Sequence, residues 1–415
     1  MAAGMLRRSG WHLFGGMVCL LVLSACGIVL AGCSAGGSAT GLSKVTASTN
    51  VIVPGSSGVG RPPGAIEVRY TLGKDGPVKA TLQGPVRAEL LSEVQRAGEH
   101  VLRFNGVLAV QEQEPQADNN SNGSFRVVRR VVPDGDYTIT ISAEGTEQSV
   151  HLRVTGADRQ APSIDHIVVH PDVISPNSDA VDDVAEVTFR TDQTATISVD
   201  LVSAHRRTTV LAPVEKGPGE QRVVVNGEDP FSDDPLGGIL PDGTYTVTIR
   251  AEDRAGNRVE AYRPLRIEGG GRPQIQVLRV EITPQQVIIG QAISVSITVR
   301  NTGNVPLRTQ GPDPGYTYTT NDSYSSIEGN KWADRAGLWR VGVDWDGNSG
   351  GGAPYRYPFR WGFGKTLMPG ETVTTGGRIV ILKQERTMWF YAGVLQEGVR
   401  IVLDRLGRTR VDISF

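Results

Sequence analysis

A nine-residue segment occurs twice in this chain and limits its fold more than any other feature. Residues 133–141 read PDGDYTITI, and residues 241–249 read PDGTYTVTI. Proline and glycine on either side of an aspartate favour a tight turn, and the alternation that follows is typical of a strand with one buried face. Two further pairs repeat upstream of these segments: Gly98-Glu99 with Asn105-Gly106, and Gly219-Glu220 with Asn226-Gly227. We therefore predict two copies of one β unit.

Composition agrees with an all-β chain. The 415 residues include 51 glycines and 24 prolines, which is too many turn formers for helical bundles. Residues 87–95 form the best helical candidate, and it is short. The 42 Lys+Arg residues balance 44 Asp+Glu residues, so we expect no nucleic-acid partner. Three cysteines exclude a disulfide-stapled scaffold and a Cys-rich zinc module.

The first 32 residues have the pattern of a secretory signal. Arg7 and Arg8 precede an apolar run, which ends in Leu-Ala-Gly before Cys33. This end resembles the bacterial lipobox, which implies cleavage before Cys33, lipidation of its thiol and an extracytoplasmic protein held at the membrane. Two alternatives stay open. Leu-Ser-Ala before Cys26 fits the same pattern, and the apolar run approaches the ~20 residues of a membrane-spanning helix.

The repeated units resemble the Ig-like domain of the FlgD, or flagellar hook-capping, family. The likeness rests on Ala-Gly-Glu-His at residues 97–100, on the following Asn-Gly and on Pro-Asp-Gly-x-Tyr. Residues 175–183 are similar to that group's Ser-Pro-Asn-Gly-Asp-Gly entry motif, with Ser178 and Ala180 in place of its glycines. Residues 251–257 match the usual exit. The resemblance implies two Ig-like domains, at 64–157 and 158–268.

A third domain is expected at 274–415, after a linker at 269–273. The alternating run that ends near residue 303, with Pro-Gly-Glu-Thr-Val at 369–373, resembles a CARDB-type domain, another bacterial Ig-like module. Residues 33–63 are rich in Gly, Ser, Thr and Pro, which is typical of a flexible tether. The predicted fold is thus all-β: three consecutive Ig-like β-sandwich domains after a lipoprotein signal peptide and a lipidated tether.

Aromatic residues are the main candidates for ligand binding. The third domain holds all five tryptophans that follow residue 32. Trp332, Trp339 and Trp389 stand among alternating apolar residues, and we expect them in the core. Five others flank Gly/Pro-rich loops, where exposed rings suit sugar stacking or a protein contact: Tyr316, Tyr318, Tyr355, Tyr357 and Trp361.

One acidic loop is a candidate calcium site. Asn177, Asp179, Asp182 and Asp183 supply the oxygen ligands that calcium prefers, although a solvated acidic turn explains the same residues. A structural calcium ion is the only cofactor that the sequence suggests. His166 and His170 lie four residues apart, without a third metal ligand in view.

An enzymatic interpretation is weak. The segment Gly347–Gly351, centred on Ser349, and the Ser-Ala-His that ends at His205 resemble segments of trypsin-like serine proteases, but they fall in different predicted domains. The sequence therefore predicts a noncatalytic binding or scaffolding module of the cell envelope. Its expected partners are the membrane, through the lipid anchor, and an unknown envelope protein or glycan. Carbohydrate binding through the aromatic loops is the alternative, and a serine hydrolase is less favoured.

Overall fold

The chain is almost entirely β-structure. The computed structural model describes residues 41–57, 60–110, 116–117, 124–233, 238–333, 335–348 and 356–415. Within these ranges, the helical content is one 3-10 turn at Glu328–Asn330. The all-β prediction is therefore confirmed. Cys33 and the predicted signal peptide lie outside the described residues.

The first hydrophobic core lies between two sheets, with strand orders β1-β3-β6 and β2-β11-β10-β4-β5. Tyr137, Ile139 and Ile141 of the repeated segment are buried in it, as the alternation predicted. The strands are β1 (Leu42–Ala47), β2 (Val51–Ile52), β3 (Ile66–Leu72), β4 (Gly76–Gln83), β5 (Ala88–Gln95), β6 (Gly98–Phe104), β7 (Val107–Ala109), β8 (Gln116–Ala117), β9 (Ser124–Val131), β10 (Gly135–Ala143) and β11 (Thr146–Val154).

Two predictions fail in this sandwich. Part of the predicted tether is structured, because β1 pairs with β3 and β2 pairs with β11, and Leu42 and Ile52 are fully buried in the core. Apolar residues in a Gly/Ser-rich segment were enough to complete both sheets. The helical candidate at residues 87–95 forms the edge strand β5 instead.

The second sandwich repeats the first strand by strand. Its sheets have the orders β12-β14-β17 and β16-β15-β20-β21-β9-β7, with β13 parallel to β21 as β2 is parallel to β11. This equivalence confirms that the repeated sequence encodes one supersecondary unit twice. The new strands are β12 (Ile164–His170), β13 (Val173–Ile174), β14 (Ala185–Thr191), β15 (Ala195–Val202), β16 (Arg207–Lys216), β17 (Gly219–Val225), β18 (Glu228–Asp229), β19 (Gly238–Ile239), β20 (Gly243–Glu252) and β21 (Arg258–Ile267).

Strand β9 crosses the boundary predicted at residue 157. It belongs to the first repeat in sequence, yet it pairs with β21, and its Val127 is buried in the second core. The first two sandwiches therefore share a sheet, which the prediction of two separate domains missed.

The third core lies between sheets of order β22-β24-β28-β25 and β23-β30-β29-β26-β27. The linker predicted at 269–273 is hydrogen-bonded at both ends: Asp242 accepts from the Gly269 and Gly270 amides, and Asn304 accepts from the Arg272 amide. The strands are β22 (Ile275–Thr283), β23 (Gln286–Ile288), β24 (Ala292–Asn301), β25 (Thr317–Thr319), β26 (Trp339–Trp345), β27 (Phe359–Trp361), β28 (Thr372–Val380), β29 (Thr387–Gln396) and β30 (Arg400–Ser414).

Each repeat is closed by the same tyrosine contact. The Tyr137 hydroxyl donates to the Pro133 carbonyl at 2.8 Å, and the Tyr245 hydroxyl donates to the Pro241 carbonyl at 2.7 Å. A tyrosine hydroxyl that bonds to the backbone a few residues upstream is the tyrosine corner of Ig-like sandwiches. The repeated Pro-Asp-Gly-x-Tyr is thus a folding element, because it fixes the turn and the following strand together.

Candidate functional site

The predicted ligand-binding rings of the third sandwich are mostly internal. Tyr318, Tyr357 and Trp361 are fully buried, so the prediction that they are exposed is wrong. Tyr316 is half-buried, and Tyr355 lies outside the described residues. The Trp361 indole donates to the Tyr316 carbonyl at 3.0 Å, and the Tyr318 hydroxyl donates to the Arg360 carbonyl at 2.7 Å. These residues form packing contacts between the loops and the sheets.

Tyr357 is buried because two glycines leave room for it. Gly342 of β26 and Gly393 of β29 are direct partners across the sheet. A Cβ atom at Gly393 would lie 2.4 Å from the Tyr357 ring, and one at Gly342 would lie 2.8 Å from the Tyr357 Cβ. The Tyr357 hydroxyl bonds to the Asp404 carboxylate. The ring thus lies across a channel on the outer face of the sheet, which burial by Gly/Pro content alone could not predict.

A buried ionic cluster lies close to this ring, and the sequence analysis missed it. Arg340 and Arg360 both pair with the Glu397 carboxylate, at 2.6 and 2.5 Å, and all three are nearly inaccessible to solvent. Both guanidinium groups also lie over the Tyr324 ring, at 4.7 and 3.7 Å from its centre. Buried charges persist only when they are paired in this way. The only sequence signal was an arginine within each of two otherwise apolar strands.

These arginines hold the covering segments to the sheet. Arg340 donates to the backbone carbonyls of Gly311 and Trp332, and Arg360 donates to those of Tyr357 and Arg356. The cluster therefore anchors loops, and its charged groups have no open face to a substrate.

The acidic loop of the second sandwich is organised by its own hydrogen bonds. The Asp183 carboxylate accepts from the backbone amides of Asn177, Ser178 and Ala180, at 2.7–2.9 Å. The Asp179 carboxylate accepts from the Val181 amide and pairs with Arg308 of the third sandwich. Asp182 is exposed. These bonds account for the acidic residues without an ion.

No metal centre is assembled in the part of the chain that the structure describes: no three His, Cys, Asp or Glu side chains converge there. His166 and His170 are strand residues of β12, and His166 contacts the neighbouring Asp165. His205 is exposed in the turn between β15 and β16. Ser349, the other half of the protease resemblance, lies outside the described residues.

One exposed charged surface remains on the third sandwich. Arg405, Arg408 and Arg410 project from β30 with side chains 59%, 50% and 56% exposed. Arg408 lies 4.0 Å over the Trp389 ring, and Arg405 lies 4.7 Å over the Tyr391 ring. Trp389 is half-exposed here, so its predicted place in the core is wrong, whereas Trp339 is buried as predicted. We call these three arginines, Trp389 and Asp346 the arginine face.

Comparisons with known proteins place the chain in no family. No protein-family model and no curated protein matches the sequence. Among solved structures, native E. coli alpha-2-macroglobulin is 10% identical with a TM-score of 0.23, and the match covers 89% of this chain and 23% of that one. A tetra-tandem repeat from the extending region of a large adhesion protein is 14% identical, with a TM-score of 0.19 and coverage of 89% and 73%. Invasin, a bacterial integrin-binding protein, is 11% identical, with a TM-score of 0.18 and coverage of 90% and 60%.

The chain thus spans less than a quarter of the macroglobulin. Identities and TM-scores this low define no shared activity. Among the described residues, no helix has the length and apolar character to cross a membrane.

Proposed function

We propose that this protein is a membrane-anchored extracytoplasmic lipoprotein that acts as a noncatalytic binding or scaffolding module of the cell envelope. The observation that carries the proposal is where the reactive residue types are used. The buried arginines and glutamate anchor loops, the Asp179 and Asp183 carboxylates of the acidic loop bond mainly to backbone amides and Arg308, and the tyrosine hydroxyls bond within the fold. Catalysis needs such groups converging on a cleft, and here they are committed to the scaffold.

The finer assignments are part of the same proposal. The two repeated sandwiches are FlgD-type Ig-like units, and the third is a CARDB-like unit. The tyrosine corner in each repeat supports the first assignment, together with the Ser-Pro-Asn entry loop. Carbohydrate binding through the aromatic loops is disfavoured, because Tyr318, Tyr357 and Trp361 have no free ring face.

The anchor is tested by labelling cells with a radioactive fatty acid. We expect the wild-type chain to carry the label and Cys33→Ser to lose it, because the acylated thiol is removed. Cys26→Ser is the matched control and should keep the label. Label that persists in Cys33→Ser and disappears in Cys26→Ser would move the lipobox. The absence of label in every variant would remove the anchor from the proposal.

A further inference from the structure

Charge is distributed unevenly along this chain. Residues 41–273 contain 24 Lys+Arg and 32 Asp+Glu residues, whereas residues 274–415 contain 16 and 12. The third sandwich is therefore cationic, and the two before it are anionic. Such asymmetry gives a molecule one surface that attracts polyanions and others that repel them.

The arginine face concentrates this positive charge on one side of one sheet. Asp346 is shared by two arginines: it accepts from Arg408 at 2.5 Å and from Arg405 at 3.3 Å. Arg410 pairs with Asp412. Three guanidinium groups thus share two carboxylates, and each keeps at least half of its side chain in solvent.

The guanidinium groups are also held in place before any ligand arrives. Arg408 rests on Trp389 and Arg405 rests on Tyr391, so aromatic stacking fixes both side chains while their outer N–H groups point away from the ring. Preorganised donors lose less conformational entropy on binding. Guanidinium groups match sulfate, phosphate and carboxylate groups by paired hydrogen bonds.

We infer that the arginine face binds an anionic polysaccharide, with Arg405, Arg408 and Arg410 as the contact residues. A single small anion would have to compete with Asp346 and Asp412, whereas a polymer presents several charges at once. A protein partner would need an apolar anchor, and no large hydrophobic side chain within residues 404–412 is exposed. The inference rests on the proposed binding function and names the class of ligand.

The test measures binding of dextran sulfate to the full chain in non-ionic detergent, with neutral dextran of the same length as the blank. We expect R405Q/R408Q/R410Q to weaken binding by at least about tenfold at low salt. The slope of log affinity against log salt should become flatter by about 2, since fewer counterions are released per complex.

A matched variant separates the arginine face from net charge. R69Q/R222Q/R266Q removes three exposed arginines from the first two sandwiches, whose side chains are 65%, 63% and 54% exposed. We expect it to bind dextran sulfate as the wild type does. Equal loss in both triple variants would overturn the inference. Thermal unfolding of each variant checks that the fold is kept.

Two further measurements have opposite signs under other interpretations. Asp346→Asn should raise the affinity several-fold, because it removes the competing carboxylate, whereas a structural role alone predicts no gain. Sedimentation without polymer and binding to vesicles of an anionic phospholipid test other occupants. Self-association, or vesicle binding, that is lost in R405Q/R408Q/R410Q while dextran sulfate does not bind would overturn the inference. Neither measurement depends on the lipid anchor, so failure of the anchor is distinguishable.

Discussion

At the scale of single residues, the acidic loop of the second sandwich has an unusual backbone. Ser178 and Ala180 both have φ of +62°, and Asp182 has φ of +51°. These are left-handed conformations that glycine adopts freely and other residues adopt at a cost. Ser178 and Ala180 stand at the two positions where the resembling entry motif has glycine. The Asp183 carboxylate holds the strained loop by accepting three backbone amides.

Restoring the glycines should therefore stabilise the protein. We expect Ser178→Gly and Ala180→Gly each to raise the free energy of unfolding by about 1 kcal/mol, because the left-handed strain is relieved. Chemical denaturation measures the change. Ala65→Gly, at a loop position without positive φ, is the control and should lower stability by about 0.5 kcal/mol. A loss of stability in both loop variants would show that the side chains matter more than the strain.

Buried tyrosines give the third sandwich a pH dependence at the alkaline end. Burial raises the pKa of Tyr318, and burial with the hydrogen bond to Asp404 raises the pKa of Tyr357. In the unfolded chain a tyrosine ionises near pH 10. The folded protein therefore holds these protons more tightly, and the stabilising contribution is complete below pH 10 and is lost as the pH rises above it.

We expect the free energy of unfolding to fall above pH 10 by up to about 1.4 kcal/mol per pH unit for each of these tyrosines. Tyr318→Phe should make this fall less steep by one such contribution. Denaturant titrations at several pH values measure the slopes. An identical slope in Tyr318→Phe and wild type would contradict the assignment.

At the scale of elements, the channel under Tyr357 predicts a coupling between two strands and a loop. Gly393→Ala places a methyl group within 2.4 Å of the Tyr357 ring as it now lies. We expect a loss of about 2–3 kcal/mol from overpacking. Tyr357→Ala should also destabilise. The double variant should lose much less than the sum, because the alanine methyl then occupies space left by the ring.

The same double-mutant cycle excludes a general backbone effect. If Gly393→Ala destabilises through its own strand conformation, the losses in Gly393→Ala and Tyr357→Ala will add. Gly290→Ala is unsuited as a control because its φ is positive. Gly217→Ala is suitable, since a Cβ there meets no atom within 4 Å, and it should leave stability nearly unchanged.

Local patterns in the sequence predicted the elements but not how elements cover one another. Alternation placed Tyr137, Ile139 and Ile141 on the buried face correctly, because that information is carried by neighbouring residues. The Tyr357 channel needs Gly342 and Gly393, which are 51 residues apart and meet only after β26 pairs with β29. Strand β9 looked like the end of a polar insert, and only pairing with β21 reveals its role.

At the scale of the whole molecule, the two joints between sandwiches are built differently. The first is a shared sheet, through β9 and β21, and a fully buried Asn257 bridges it: its carbonyl accepts from the Val131 amide, and its amide donates to the Asp158 carbonyl. The second joint uses loops, in which Asp179 pairs with Arg308 and the Gly271 amide donates to the Pro176 carbonyl. We infer that the first joint transmits unfolding more strongly than the second.

Removal of the Asn257 side chain tests this difference. Asn257→Ala leaves a buried amide and a buried carbonyl without partners, so we expect a loss of about 2–4 kcal/mol. Calorimetry of the wild type should show the first two sandwiches unfolding in one transition, and Asn257→Ala should divide it, because the shared sheet loses its bridge. Asn226→Ala is the matched control: Asn226 caps a turn by accepting from the Glu228 amide and joins no two sandwiches. It should lower the transition temperature slightly without dividing the transition. Separate transitions for the first two sandwiches in the wild type would show that β9 does not couple them.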